Sequence, residues 1–434
     1  MKKINSFNIA VVVSLIWALF SYKLAMPWQE DLSREVGTIL SIIIINGIAI
    51  VPGFINMFLV ISILAERKEE RDIYGISDEI NDAVTVLVPI HNEEEIIYDV
   101  LRSIAQQTYK GLIKVIVINN NSVDKGVYKV KKAQRKLNLD IRLIKERKPG
   151  KNFALNTGLE LVDTDYVITI DGDTILHKDA IKNIMCRMIT KGEKTFGVAG
   201  SLLAMNKKEN LITKMQQLDY YMSITAIKRM QSMFESTLVC QGAFSVYRTE
   251  IVKRLGGWSD AIGEDIVLTT DGLAEGLKTY FEPKAIAYTD VPDKFRHFTK
   301  QRSRWARGMF EFLKRHNALS FPSIATKLFA MVDIMIVYID FSYTFFWIPG
   351  LIAALVFKNF IIVGPMALLV LPCTIISFGV LAYRQIKVLK ELEIEYKISK
   401  IGALIFVLCY QMIMSPTSLV GYVQEILQTK RVWE

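Results

Sequence analysis

The chain has 434 residues, too many for one ordinary domain, and 51% are hydrophobic, concentrated towards the two ends around a charged middle. A net charge of +9 suits lipid headgroups or phosphate-bearing substrates, but no compact Lys/Arg tract interleaved with aromatics is present, which argues against nucleic acid. Cys186, Cys240, Cys373 and Cys409 show no CxxC spacing, which excludes a zinc site or a disulfide framework as the organising feature.

In chain order, Met1–Lys3 is followed by an apolar run from about Ile9 to Tyr22. It lacks a small-x-small cleavage site, so it reads as a retained transmembrane helix, with Lys23 snorkelling at its end. No charged residue occurs between Gly37 and Ala65, long enough to span a bilayer. Pro27–Glu35, more acidic than basic, reads as an outside loop between these helices, and Glu66–Asp72 marks the exit into water. The expected N-terminal unit is 1–72.

Residues 73–315 read as a soluble α/β domain. Val84–Ile90, Lys114–Ile118, Ile141–Ile144 and Tyr166–Ile170 look like strands, alternating with helices near 93–106, 124–137 and 152–162. That alternation predicts a parallel, Rossmann-like sheet covered by helices. Ligands of such sheets sit beyond the C-terminal strand ends, where the clusters His91–Glu95, Asn119–Ser122 and Asp171–Asp173 fall.

The last unit, 316–434, opens with a stretch to about Leu328 expected along the membrane surface. Apolar blocks follow at 329–357, 360–383 and 401–423. Arg384–Lys400 carries five Lys/Arg, which puts that loop, Met1–Lys3 and the middle domain in the cytoplasm. A crossing by the final block would send Lys430–Arg431 outside, against the same rule; the alternative is a re-entrant segment. Asp333 and Asp340 lie seven residues apart on one helix face. Intramembrane carboxylates usually face a polar cavity, so Asp340 lines a polymer path or both acids reach headgroups.

The chemistry starts at Tyr166–Thr174, where an apolar strand ends in Asp171-Gly172-Asp173. Two carboxylates there can share one hard cation, Mg²⁺ or Mn²⁺, whose other ligands come from phosphate and water. Alone this is a common strand-to-turn junction. It gains meaning from its companions: His91-Asn92-Glu93, Asn119-Asn120-Asn121, Lys148-Pro149-Gly150-Lys151, Gln241-Gly242-Ala243, Gly263-Glu264-Asp265 and Gln301-Arg302-Ser303-Arg304-Trp305.

In this order and spacing, from about residue 84 to 310, the chain resembles the inverting family 2 glycosyltransferases of GT-A fold. It looks especially like their membrane-bound processive branch, which makes cellulose, hyaluronan, chitin oligosaccharides and poly-N-acetylglucosamine. The resemblance implies that Asp171 and Asp173 hold the metal on the donor diphosphate. Glu93 and Lys151 would contact the nucleotide and diphosphate, Asp265 would be the catalytic base with Glu264 beside it, and Arg304 would pair with the diphosphate. Trp305 would face the acceptor sugar, Gln301 would complete its pocket, and Gln241 and Gly242 would line the acceptor site. Asn120 stands where many members carry an acid that contacts the uracil or ribose, and is expected to contact the nucleotide by hydrogen bonds instead. Without the resemblance, Asp265 reads more readily as a carboxylate at a helix N-terminus, Trp305 as a core or interface aromatic, and Arg302, Arg304 and Arg307 as residues that could meet lipid headgroups.

The implied protein is a multi-pass enzyme of the inner or plasma membrane with a cytoplasmic catalytic domain. Its donor is a UDP-sugar, best read as UDP-GlcNAc from the helix layout and moderate length, a layout that hyaluronan synthase-like enzymes largely share; its acceptor is a growing β-linked polysaccharide, and a small membrane partner subunit is possible. Rival readings are a lipid glycosyltransferase that adds one sugar, and a non-catalytic membrane component that binds sugar-nucleotide or polymer.

Overall fold

The computed structural model describes residues 2–66, 79–206, 210–364, 370–395 and 400–429. Its centre is one sheet of eight strands: β1 (Val84–Ile90), β2 (Ile113–Asn120), β3 (Asp140–Glu146), β4 (Tyr166–Ile170), β5 (Ile175–Leu176), β6 (Thr195–Ala204), β7 (Phe244–Arg248) and β8 (Lys278–Thr289), in the order β3-β2-β1-β4-β7-β6-β8-β5.

The first four strands are parallel, as the alternation predicts. Beyond β4 the sheet becomes mixed. β7 runs antiparallel to both β4 and β6, β8 is parallel to β6, and β5 closes the edge antiparallel to β8. β1 reads VTVLVPI without polar alternation because both its faces are covered. Val84, Val86 and Val88 pack with the helices Ile97–Ala105 and Ala180–Thr190 on one face, and Leu87 packs with Ile118, Leu155 and Phe196 on the other.

Among the described residues three helices are long and apolar enough to cross a membrane: Ser6–Val36, Thr38–Leu64 and Ile401–Ile426. The first corrects the sequence reading. Pro27–Glu35 is not a loop; one helix runs Lys2–Val36 with Pro27 inside it. Tertiary contacts hold that acidic stretch helical: Trp28 Nε1 donates to Ile361 O at 2.8 Å, and Ala25 and Leu32 are buried against Ile44, Ile45 and Ile48. The chain turns at Gly37, whose φ of 83° suits a residue without Cβ.

The block at 329–357 is helical, and the described part of 360–383 is helical from Val370 on. Ile324–Ser342 continues through a π-turn at Tyr343–Trp347 into Ile348–Phe357, and Val370–Glu391 follows; 365–369, like Glu66–Asp72 beyond Glu66 itself, fall outside the described residues, as do Lys430–Arg431. The apolar core runs from Phe58 and Ile63 of the second helix through Ala226 and Phe312 to Phe321 and Phe329. A largely buried pair, Arg229 Nε–Glu66 Oε1 at 2.7 Å, sits at the same junction.

The last helix, Lys400–Ile426, is clamped between two others. Along Phe295–Arg315, Phe298 lies 6.4 Å from Tyr410, and a Cβ on Gly421 would meet Ser303 O at 2.3 Å. Farther on, Arg307 Nε and Lys314 Nζ reach Glu425 at 2.9 and 3.2 Å. On its other side, Asp340 accepts from Gln411 Nε2 (3.2 Å), Ser415 Oγ (2.9 Å) and Tyr422 OH (2.8 Å). Asp340 is 2% exposed, so it is a helix clasp and does not line an open path.

Candidate active site

The site forms where β1, β2 and β4 end, facing the start of the helix Glu264–Ala274. Asp171 and Asp173 follow β4 directly. Gly172 between them is required by space: a Cβ there would lie 3.0 Å from Glu93 Cγ and 3.1 Å from Pro89 O. The turn therefore presses against the end of β1 and brings Glu93 to the aspartates. Burial, then repulsion from Asp173 and Asp171, pushes Glu93 up to about 7. Burial and Asp171 push Asp173 up to about 6. Crowded carboxylates of this kind favour a cation. Among the described residues no group of three or more His, Cys, Asp or Glu forms a metal cage. Two aspartates at a strand end fit a hard cation that completes its shell with substrate phosphate and water.

Lys151 begins the helix Lys151–Leu159, preceded by Gly150 at φ 136°. Its ammonium pairs with Asp171 and lies 3.9 Å from Glu264 Oε1. Burial works against that charge, but Asp171 and Glu264 outweigh it and raise the Lys151 pKa. Gly242 makes room, since a Cβ would sit 2.7 Å from Lys151 Nζ. Burial pushes Glu264 up to about 7, with Lys151 opposing and Asp265 adding.

Asp265 lies in the first turn of Glu264–Ala274. Its Oδ1 accepts from Ile266 N at 2.8 Å and its Oδ2 from Gly242 N at 3.1 Å. It is thus a helix N-terminal carboxylate and also part of the cluster, and each oxygen retains a further lone pair. The turn before it meets the Phe295–Arg315 helix backbone to backbone: a Cβ on Gly263 would lie 2.9 Å from Gly308 Cα, and the reverse distance is also 2.9 Å. Glu311 Oε2 accepts from Ile262 N at 2.9 Å. These contacts fix the Asp265 turn to the helix carrying Gln301, Arg304 and Trp305.

On that helix Arg304 is exposed, Trp305 is 39% exposed, and Gln301 Oε1 is buried with no hydrogen-bond partner among the described residues. The Tyr220 ring lies 6.0 Å from the Trp305 ring. Burial pushes its hydroxyl up to about 12, Arg302 opposing, while Asp219 and Asp173 add and Arg304 also opposes. Tyr220 therefore packs at the Trp305 end of the site.

Two expected contacts turn inward. Asn120 is 7% exposed; its Nδ2 donates to Lys148 O (2.7 Å) and Glu146 O (3.3 Å), and its Oδ1 accepts from Gly150 N (2.9 Å). Both donor hydrogens are committed, so Asn120 shapes the 146–150 turn that delivers Lys151 and offers no free donor to a nucleotide. Gln241 is likewise committed: its Nε2 donates to Gly200 O at 2.5 Å and its Oε1 accepts from Lys228 Nζ. Lys228, absent from the sequence reading, also donates to Val239 O at 2.9 Å. Burial depresses it to about 8, with Cys240 and Asp265 pulling the other way. No sequence motif flags Lys228. Gly308, a glycine inside an amphipathic helix, was a readable sign of close approach.

A sequence model of the family described as glycosyltransferase like family 2 matches residues 81–308, more than half of the chain. The poly-beta-1,6-N-acetyl-D-glucosamine synthase of Staphylococcus aureus is 30% identical over 258 residues, 58% of this chain and 60% of that protein. Its namesake from Staphylococcus epidermidis is 30% identical over 277 residues, 63% of each. The match thus spans under two thirds of these relatives' length. A mannosyltransferase from Pyrobaculum calidifontis, solved in complex with GDP-Man and Mn²⁺, superposes with a TM-score of 0.54 at 17% identity, over 86% of this chain and all of its own, a likeness of fold. The α/β unit has the GT-A fold, and the chain belongs to the glycosyltransferase-like family 2.

Proposed function

We propose that the chain is a divalent-metal-dependent, inverting glycosyltransferase that adds N-acetylglucosamine from UDP-GlcNAc to a growing β-linked polysaccharide. The observation that carries this is the Lys151 ammonium set between Asp171 and Glu264, which joins the strand-end carboxylates to the Asp265 turn in one cluster. The 30% identity to poly-N-acetylglucosamine synthases supports the sugar and the polymeric product.

In this reading Asp171 and Asp173 hold Mg²⁺ or Mn²⁺, whose charge offsets that of the departing diphosphate. Lys151 pairs with Asp171 and adds positive charge on the diphosphate side, with Glu93 lining the nucleotide. Arg304 offers a planar fork to two phosphate oxygens. Asp265 takes the proton of the acceptor hydroxyl as its oxygen attacks the anomeric carbon and the UDP oxygen leaves. One base and one displacement invert the centre, so an α-linked donor gives a β-linkage. Gly242 N–H orients Asp265, the Trp305 ring receives the acceptor sugar, and the buried Gln301 Oε1 accepts from one of its hydroxyls.

The catalytic unit, 73–315, faces the cytoplasm between the helices of 1–72 and 316–434 of a multi-pass protein of the cell membrane. The docking of the last helix along Phe295–Arg315, from Tyr410 to Glu425, supports its re-entrant alternative, with Glu425 on the catalytic side.

The test is UDP release and product length in nanodiscs, with Mn²⁺ or Mg²⁺ and a panel of UDP-sugars. Long polymer from UDP-GlcNAc, stopped by chelator, is expected. A single sugar on lipid would replace this reading with the lipid transferase, and no metal-dependent UDP release from any donor would leave only a binding component.

A further inference from the structure

Trp305 presents a partly exposed ring, yet one face of it is covered. The guanidinium carbon of Arg302 lies 4.1 Å from its centroid. Arg302 and Trp305 are three residues apart on one helix, so their side chains meet on one face. Arg302 itself is 1% exposed. It also lies 5.5 Å from the Tyr220 ring and 5.3 Å from Phe298. Its guanidinium pairs with Asp219, 3.0 Å away and 6% exposed. Asp219 in turn accepts from Tyr410 OH at 2.5 Å. Tyr410 belongs to the last helix.

A buried ion pair is a weak source of stability, and apolar side chains of similar size often do as well. Hydrogen bonding does not explain the burial of Arg302 either: among the described residues its Nε has no acceptor, and its Nη2, though 3.0 Å from Asp219 Oδ2, makes no well-aligned hydrogen bond. What the site uses is a flat cation laid against an aromatic face, an arrangement that guanidinium provides and ammonium does not.

We infer that Arg302 is a positioning residue for the acceptor: its guanidinium backs the Trp305 indole and fixes the plane of the open face, and the Asp219–Tyr410 bond ties that plane to the helix Lys400–Ile426. The inference rests on the proposal that Trp305 receives the acceptor sugar. Arg302 touches no substrate in it. Lysine at 302 keeps the pair with Asp219 and loses the flat support; phenylalanine at 410 keeps the ring and loses the tie to Asp219.

The experiment compares the wild-type full chain, Arg302→Lys and Tyr410→Phe in nanodiscs. Calorimetry measures binding of a short β-1,6-linked N-acetylglucosamine oligosaccharide and, separately, of UDP-GlcNAc; steady-state kinetics give KM and kcat for each. Loss of the ring support raises the oligosaccharide Kd of Arg302→Lys about tenfold, or about 1.4 kcal/mol, with UDP-GlcNAc affinity and kcat unchanged. Tyr410→Phe shifts the same constant in the same direction by less. Unchanged oligosaccharide affinity in the folded variants overturns the inference. So does a parallel loss of donor and oligosaccharide binding, the mark of a merely structural residue. If Arg302→Lys does not fold, Tyr410→Phe decides alone. A wild-type chain that binds neither sugar ligand fails before any variant is compared, and that result removes the proposed function together with this inference.

Discussion

Replacing Asn120 with aspartate separates two accounts of the nucleotide end of the site. If the residue at 120 touches the base or ribose, restoring the acid common in the resembled family should tighten donor binding. The structure predicts the opposite. Asn120 donates to two carbonyls, Lys148 O at 2.7 Å and Glu146 O at 3.3 Å, while accepting from Gly150 N at 2.9 Å. An ionised aspartate keeps the last bond, loses both donations and sets a charge against two part-buried carbonyl oxygens. Two lost bonds with unsatisfied partners amount to about 2–4 kcal/mol. The 146–150 turn moves first, and Lys151 with it, so UDP-GlcNAc affinity falls as the protein loosens. Differential scanning fluorimetry and donor calorimetry, run on Asn120→Asp beside wild type, read both effects. Lowering the pH should recover part of the loss, because a protonated acid regains one donor. Unchanged stability with tighter donor binding would refute the argument.

Gly308→Ala must push the Phe295–Arg315 helix off the Gly263 turn, since the new Cβ would lie 2.9 Å from Gly263 Cα. Overpacking of this kind costs about 1–3 kcal/mol, and kcat should fall because Asp265 shifts against Trp305; wild-type kcat with wild-type stability would count against it. Asp340→Leu takes the acceptor from two buried hydroxyls, those of Ser415 and Tyr422, a loss of about 2 kcal/mol or more, and limited proteolysis should then cut the Lys400–Ile426 helix sooner; unaltered digestion would restore the polymer-path reading. Lys228 gives the pH prediction. Its pKa is depressed from 10.5 to about 8, so the folded chain binds fewer protons than the unfolded chain between those values. The stability it contributes is fully present above 10.5 and lost as pH falls through 8. Lys228→Met removes that dependence, so wild type should gain stability relative to the variant between pH 8 and pH 10; a constant difference would contradict the buried ammonium.

The four leading strands were readable because each is a short β-branched run ending in a polar cluster, and Val84–Ile90 and Tyr166–Ile170 keep their expected ends. The second half of the sheet was not. β7 has only five residues, and its antiparallel place between β4 and β6 depends on pairing partners far along the chain. Composition misled at Pro27–Glu35, where a proline and acids suggested a loop and contacts from Trp28 and Leu32 keep a helix. In the site, contiguous strings such as Asp171-Gly172-Asp173 and Gly263-Glu264-Asp265 were legible as motifs. The direction in which Asn120 and Gln241 turn was not, because the carbonyls and the lysine that capture them are set by tertiary structure.

The central claim is that Asp265 is the single base of an inverting transfer. Its most direct test pairs the anomeric configuration of the product, read by NMR, with the rate of Asp265→Asn under saturating UDP-GlcNAc and metal. The account predicts β-linked product from the wild-type chain, and an Asp265→Asn protein that binds UDP-GlcNAc normally but forms no polymer. An α-linked product, or polymer made by Asp265→Asn at the wild-type rate, would contradict it.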